Sequence, residues 1–307
     1  MDILEKIVKN VSVVIKGKEE KIKIIVAALF SGGHVLLEDV PGVGKTMLAR
    51  ALSKTFSLDF KRVQFTPDLL PSDVTGLYIF DKESGEFVFN KGPIFTNVLL
   101  ADEINRATPR TQSALLEAMA ESQVTVDGIT HKLYDVFFTI ATQNPIESEG
   151  TFPLPEAQLD RFMVKLSLGY PDEAAEKEML YSQLYEHPIV ELGSVVSKEE
   201  FLNHLSNVKN VKVSDDIMRY IVDIVSATRK HKDIMVGSSP RGSIFLLNIS
   251  RAYAYLHGRD FVLPDDVKYL APYVLNHRII LSVEARIKKV DKYKVIEEIL
   301  EEVKVVK

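Results

Sequence analysis

A short apolar run that breaks into a proline-glycine turn and ends in Gly-Lys-Thr has few places in a fold other than between a buried strand and a helix. Residues 34–46, HVLLEDVPGVGKT, have this form. Residues 35–38 read as the strand, and Met47, Leu48, Ala51, Leu52 and Phe56 then recur on one helical face. Glycine tolerates positive φ, so the amides of Gly42, Val43 and Gly44 can turn inward together, and the following helix adds the partial positive charge of its N-terminus. Such a turn is an anion cradle. Lys45 supplies a mobile charge for the β- and γ-phosphates of a nucleotide such as ATP, and Thr46 a hydroxyl for Mg²⁺. Pro41, Val43 and Met47 complete the candidate nucleotide contact.

The usual pattern, G-x-x-x-x-G-K-[ST], is one residue short, because the place of its first glycine holds Asp39. Aspartate visits left-handed backbone angles more readily than most residues, so the turn is expected to survive there, with the carboxylate facing away from the phosphates. Upstream, Ile3, Leu4, Ile7 and Val8, then Ile22, Ile25, Val26 and Leu29, predict two helices closing at Ser31-Gly32-Gly33. Between them, Ile15 and Gly17 suit either a close backbone approach to an adenine ring or a plain helix linker.

At 307 residues the chain exceeds one ordinary domain, and two are expected, spanning 1–190 and 191–307. The balance of 43 acidic against 38 basic side chains leaves a net charge of −5, which gives no general attraction to nucleic acid or anionic lipid. No cysteine is present, so disulfides and thiolate chemistry are excluded. The first residues, MDILEKIVKN, lack a signal peptide's apolar run, and no stretch approaches the ~18 apolar residues of a membrane span, so a cytoplasmic protein is expected.

Downstream, residues 60–65 predict a second strand, and 77–80 and 87–89 a hairpin around DKESGE. Residues 97–102, NVLLAD, predict an apolar strand ending in Asp102 and Glu103, where open α/β sheets bind ligands. Asp102 there would hold the Mg²⁺ shell, while Glu103 would orient and deprotonate the attacking water. Thr108-Pro109 starts a helix, Asp127-Gly128 turns a second hairpin, and residues 136–141 form the next strand. Asn144 at its tip can bond both a γ-phosphate and a water without competing for the proton. After a short strand at 163–168, preceded by Arg161, the pattern turns helical: 173–185, 198–205, 214–229, 239–257 and 264–275. In Ser239-Pro240-Arg241 a proline opens a helix and presents Arg241 in its first turn. The tail, 290–303, is a charged amphipathic helix expected to pack on the lid.

In this order and spacing, HVLLEDVPGVGKT, LLADEINRA, ATQNP, FPLPEAQLDRF and SPRG resemble the MoxR group of AAA+ ATPases over residues 10–285. The resemblance implies an α/β P-loop NTPase core, with helices on both sides of a five-stranded parallel sheet, and a C-terminal all-α lid. It assigns Lys45 and Thr46 to Walker A, Asp102 and Glu103 to Walker B, Asn144 to sensor 1, Arg161 to the arginine finger and Arg241 to sensor 2. It further implies a homo-oligomeric, hexameric ring with ATP and Mg²⁺, chaperone-like work on client proteins, and metal insertion. The expected partners are separate polypeptides carrying a von Willebrand factor A domain. Two other classes are open on the residues: a nucleic-acid motor using the hairpins, and a scaffold that binds ATP without turnover. The nearly charge-balanced hairpin tips, DKESGE and DGITHK, argue against the first, since strand tracking wants a basic groove. Glu103, Asn144 and Arg161 argue against the second.

Overall fold

Three strands with few polar side chains form the centre of the sheet, and the chain reaches them through two helices. The computed structural model describes residues 2–145 and 150–305; the outer ends of the two expected domains, residues 1 and 307, lie outside that range. Helices α1 (Ile3–Ser12) and α2 (Glu19–Phe30) lead into β1 (Val35–Glu38), α3 (Lys45–Thr55) and β2 (Phe60–Gln64). Then come α4 (Pro71–Thr75), the hairpin of β3 (Gly76–Asp81) and β4 (Glu86–Lys91), and β5 (Val98–Asp102). A single 3₁₀ turn, Ile104–Arg106, precedes α5 (Pro109–Glu121), the hairpin of β6 (Gln123–Val126) and β7 (Ile129–Lys132), and β8 (Phe138–Gln143). Short α6 (Glu156–Leu159) and β9 (Val164–Leu166) close the core.

The sheet has five strands in the order β2-β5-β8-β1-β9, all parallel. Parallel strands connected by crossover helices are covered on both faces, so their side chains are apolar without alternation, as VLLE and VLLAD are. Successive side chains serve two separate cores. Val35, Leu37, Leu100 and Ile140 pack with α1 to α3 and the C-terminal helices, whereas Leu36, Leu99, Ala101 and Ala141 pack with α5. The register sets Glu38 beside Gln143 and Gln64 beside Asp102, so the functional loops leave one edge of the sheet.

After α7 (Glu173–Ser182), the lid holds α8 (Lys198–Val208), α9 (Asp215–Thr228), β10 (Ile234–Val236), α10 (Pro240–Leu256) and α11 (Pro264–Leu275). It ends with β11 (Ile280–Leu281), α12 (Val283–Ile287) and α13 (Lys292–Glu302). Capping residues fix the helix starts: Asp172, Ser197, Ser214 and Ser239 each accept a first-turn amide. The helical lid is present, with a two-stranded antiparallel ribbon of β10 and β11 added to it. Lid and sheet share one apolar core. Phe30 of α2, Phe56 and Phe201 of α8 meet at ring-centroid distances of 4.9 to 5.7 Å, and such pairs add about 0.5–1.5 kcal/mol each beyond their burial. The tail helix α13 buries Val295, Ile296 and Ile299.

Both expected hairpins form. Asp127 and Gly128 take φ of 49° and 80°, the left-handed pair that a two-residue turn requires. At the base of the larger hairpin, where Gly76 pairs with Lys91, a Cβ on Gly76 would stand 2.3 Å from the carbonyl oxygen of Asn90, so only glycine fits. Tyr78 turns onto the second hairpin. Its hydroxyl lies 3.2 Å from His131 Nε2, and the Phe89 ring stacks on His131 at 3.9 Å. The hairpins therefore brace one another. Left outward are Leu77, Ile79, Phe80, Phe87 and Val88, with Ile129 on the second hairpin.

Candidate nucleotide site

The loop from β1 to α3 has the geometry of an anion cradle. Gly42 and Gly44 take φ of 87° and 88°, and α3 begins at Gly44 with no side chain capping its first amides. Nothing lies within 4 Å of where a Gly42 Cβ would be. Lys45 Nζ donates to the carbonyls of Asp39 at 2.9 Å and Val40 at 3.3 Å, which carries the ammonium across the turn. Thr46 and Met47 follow in the first turn of α3, half-buried, and Val43 is likewise half-buried, while Pro41 is exposed. These groups fit a triphosphate: uncapped amides and a cation for its charge, and a hydroxyl beside them for Mg²⁺.

Asp39 does not take the left-handed turn expected of it. The described non-glycine residues with positive φ are Ser57, Glu103, Ser122, Asp127 and Lys289. Its buried carboxylate accepts from Ser167 Oγ at 2.6 Å, from the Leu168 amide at 2.7 Å and from the Gly169 amide at 3.0 Å. Asp39 thus ties the start of the phosphate loop to the end of β9. Replacing it with glycine would complete the sequence pattern, yet Asp39→Gly is expected to lower stability by about 2–3 kcal/mol, because a buried acceptor of charge-assisted bonds is lost. A urea midpoint equal to or above that of the parent would refute this.

Gly17 has φ of 67°, and a Cβ there would lie 2.9 Å from Ala175 Cβ on α7. Ile15 reaches the other side, its Cδ1 3.7 Å from the Cβ position of Gly44. The two residues therefore lie between the phosphate loop and α7. This geometry accommodates both readings of the segment, since the close approach at Gly17 itself is to a helix.

At the end of β5, Thr142 Oγ1 donates to Asp102 Oδ1 at 2.6 Å and accepts from the Glu103 amide at 2.8 Å. Glu103 sits at φ 56°, a conformation that costs a non-glycine residue about 1–3 kcal/mol and that clusters at functional sites. Its Oε2 accepts from Gln64 Nε2 at 2.7 Å and from Arg106 Nη1 at 3.0 Å. Arg62 on β2 places Nε at 3.1 Å and Nη2 at 2.7 Å from Asp102 Oδ2. Asn144 is buried one residue past β8. Phosphate loop, acidic pair and asparagine thus leave neighbouring strands at the same edge.

The two arginines go elsewhere. Arg161 donates to the Leu116 carbonyl at 2.8 Å and lines a cleft with Ser113, Glu117 and Glu121 of α5. No phosphate-loop residue lines that cleft. Arg241, in the first turn of α10, lies 3.4 Å from Asp160 Oδ2. The same carboxylate accepts from Ser239 Oγ at 3.0 Å and Arg278 Nε at 2.8 Å. Arg278 is buried, and its guanidinium also bonds the carbonyls of Asp160, Phe162, Met163 and Val274. Burial pulls its pKa down to about 10, opposed by Asp160. Burial, and then the Arg278 charge, push its neighbour His277 well below the ordinary histidine range, so His277 is neutral at pH 7. The lid therefore grips the backbone on both sides of Arg161. Sequence reasoning missed Arg62, Gln64, Thr142, Asp160 and Arg278; only Asp160 carried a signal, being next to Arg161 in the quoted motif.

Comparison with known proteins points the same way. Residues 34–164 match the ATPase family associated with various cellular activities (AAA), and residues 226–301 match the AAA lid domain. The chain is 54% identical over 303 residues to the uncharacterized protein YeaC of Bacillus subtilis (strain 168), covering 99% of this chain and 95% of that one. It is 38% identical over 309 residues to Chaperone MoxR1 of Mycobacterium tuberculosis, covering 98% and 81%. The chain belongs to the MoxR group of AAA+ ATPases. A crystal structure of a candidate ATPase from Cytophaga hutchinsonii superposes with a TM-score of 0.92 at 41% identity, covering 99% of this chain and 95% of that one. As an AAA+ ATPase of the MoxR type, the protein binds and hydrolyses ATP. Among its described residues no helix is long and apolar enough to cross a membrane.

Proposed function

We propose that this MoxR-type ATPase is a chaperone that assembles as a hexameric ring and uses Mg²⁺-dependent hydrolysis to remodel protein clients in the cytoplasm. In this reading residues 1–190 form the nucleotide-binding core and 191–307 the lid. Lys45 neutralises the β- and γ-phosphates; the amides of Gly42, Val43 and Gly44 cradle them. Pro41 and Met47 flank the cradle, and Gly17 gives the backbone its approach to the base. Thr46 and Asp102 hold the metal shell, whose charge offsets that building on the transferred phosphoryl oxygens. Glu103 takes the water's proton, Asn144 orients that water, Arg241 senses the γ-phosphate, and Arg161 serves the adjacent subunit. The ring works with a separate polypeptide carrying a von Willebrand factor A domain, and its clients include proteins that receive a metal cofactor.

The observation that carries the client class is the exposed apolar surface of the larger hairpin, Leu77, Ile79 and Val88 on one face and Phe80 and Phe87 on the other, with Phe87 68% exposed. Apolar side chains left exposed on both faces of a hairpin suit contact with a protein surface. The same hairpin has two lysines, Lys82 and Lys91, against three acids, Asp81, Glu83 and Glu86, which suits a phosphate backbone poorly. Mass photometry with and without ATP, then turnover with single-stranded DNA, duplex DNA and lysate protein fractions, tests the reading. Nucleotide-dependent assembly and stimulation by protein that persists at moderate salt are expected. Stimulation by nucleic acid alone, lost steeply as salt rises, would replace the chaperone with a nucleic-acid motor.

A further inference from the structure

Arg62 is unexplained by the reading above. It stands on the sheet's edge strand β2, two residues before Gln64, so both side chains leave the same face. Its guanidinium gives two donors to one oxygen, Asp102 Oδ2, while Thr142 takes the other oxygen. The carboxylate that would hold the metal shell thus already carries a cation. Arg62 Nη2 also donates to Gln64 Oε1 at 2.6 Å, and Gln64 Nε2 donates to Glu103 Oε2. This fixes the amide's orientation, since the flipped form would set its NH₂ against a guanidinium and its oxygen against a carboxylate. A bonded path therefore runs from the metal carboxylate through Arg62 and Gln64 to the water-activating one.

We propose that Arg62 is a built-in counter-ion that Mg²⁺ must displace from Asp102. Arg62 is then a positioning residue, acting on the metal site through Asp102. Two cations drawn to one carboxylate oxygen repel each other, so the guanidinium raises the metal concentration the site needs. The exchange is within reach because the pair is partly open, with the Arg62 side chain 47% exposed, and such pairs contribute only modestly. Mg²⁺ usually reaches protein through one or two carboxylates while keeping its waters, so Asp102 is the point where metal and arginine compete.

The proposal rests on Asp102 serving the metal, and Asp102→Asn tests that separately. Mn²⁺ binding in the presence of the non-hydrolysable analogue AMP-PNP would be followed by electron paramagnetic resonance for the parent, Arg62→Gln, Arg62→Lys and Asp102→Asn. Arg62→Gln is expected to reach half-saturation at roughly two- to fivefold lower Mn²⁺, with Arg62→Lys close to the parent. Asp102→Asn is expected to lose most of the bound metal. If Asp102→Asn binds as the parent does, the metal assignment falls and this proposal with it. If Asp102→Asn loses the metal but Arg62→Gln leaves half-saturation unchanged or raises it, the counter-ion role alone is overturned.

Discussion

Glu103→Gln is expected to keep ATP bound and to hydrolyse it at least about a hundredfold more slowly than the parent, within the ~10²–10⁴ range of a positioned general base. The substitution keeps the shape of the side chain and removes its ability to accept the water's proton. The surroundings favour a clean result. The backbone at φ 56° is held by Thr142 Oγ1, which does not depend on the side chain's charge. Arg106 and Gln64 both donate to the carboxylate oxygen, and a glutamine oxygen can still accept from them. Binding should therefore survive while chemistry fails. Single-turnover hydrolysis beside nucleotide retention on a filter separates the two, and turnover equal to the parent's would remove Glu103 from the mechanism.

The phosphate loop, the apolar strands and the helical spacing were legible because each is local. A buried parallel strand advertises itself by an unbroken apolar run, as residues 98–101 do. Where a strand's end carries function, that signal fails. The strand expected at 136–141 runs instead over Phe138–Gln143, because Thr142 and Gln143 pair with Leu37 and Glu38 of β1 despite their polar side chains. At β9 the error is reversed. Residues 163–168 shorten to Val164–Leu166, since the amides of Leu168 and Gly169 are taken by Asp39 rather than by a neighbouring strand. The lid's ribbon strands have three and two residues, too few to show a period.

Pairings across long sequence separations were not legible at all. Arg241 was placed at sensor 2 by the resemblance alone, whereas its partner in this structure, Asp160, lies in the core 81 residues away. Arg278 lies 118 residues from the carboxylate it holds. Arg62 and Gln64 occupy an edge strand whose mixed polarity gives no hint that either reaches a neighbouring strand's carboxylate. Spacing reports which elements form; the partner of a charged side chain depends on how the elements stack.

Arg161→Ala is expected to lower ATP turnover by ~10³ to 10⁵ while leaving the fold and nucleotide binding in place, because an arginine supplied from a neighbouring subunit neutralises charge that develops only in the transition state. Its position suits such a role. Arg161 rests on the Leu116 carbonyl in a cleft lined by α5 and apart from its own phosphate loop. The backbone beside it is clamped by the buried Arg278, through the carbonyls of Asp160 and Phe162, so the side chain is presented from a fixed base. Turnover should then rise with protein concentration as interfaces form. A mixture of Arg161→Ala with Lys45→Ala subunits should recover activity, since interfaces pairing an intact Lys45 with an intact Arg161 from the other variant are complete. If each variant is inactive alone and the mixture stays inactive although mixed assemblies form, Arg161 does not act across the interface.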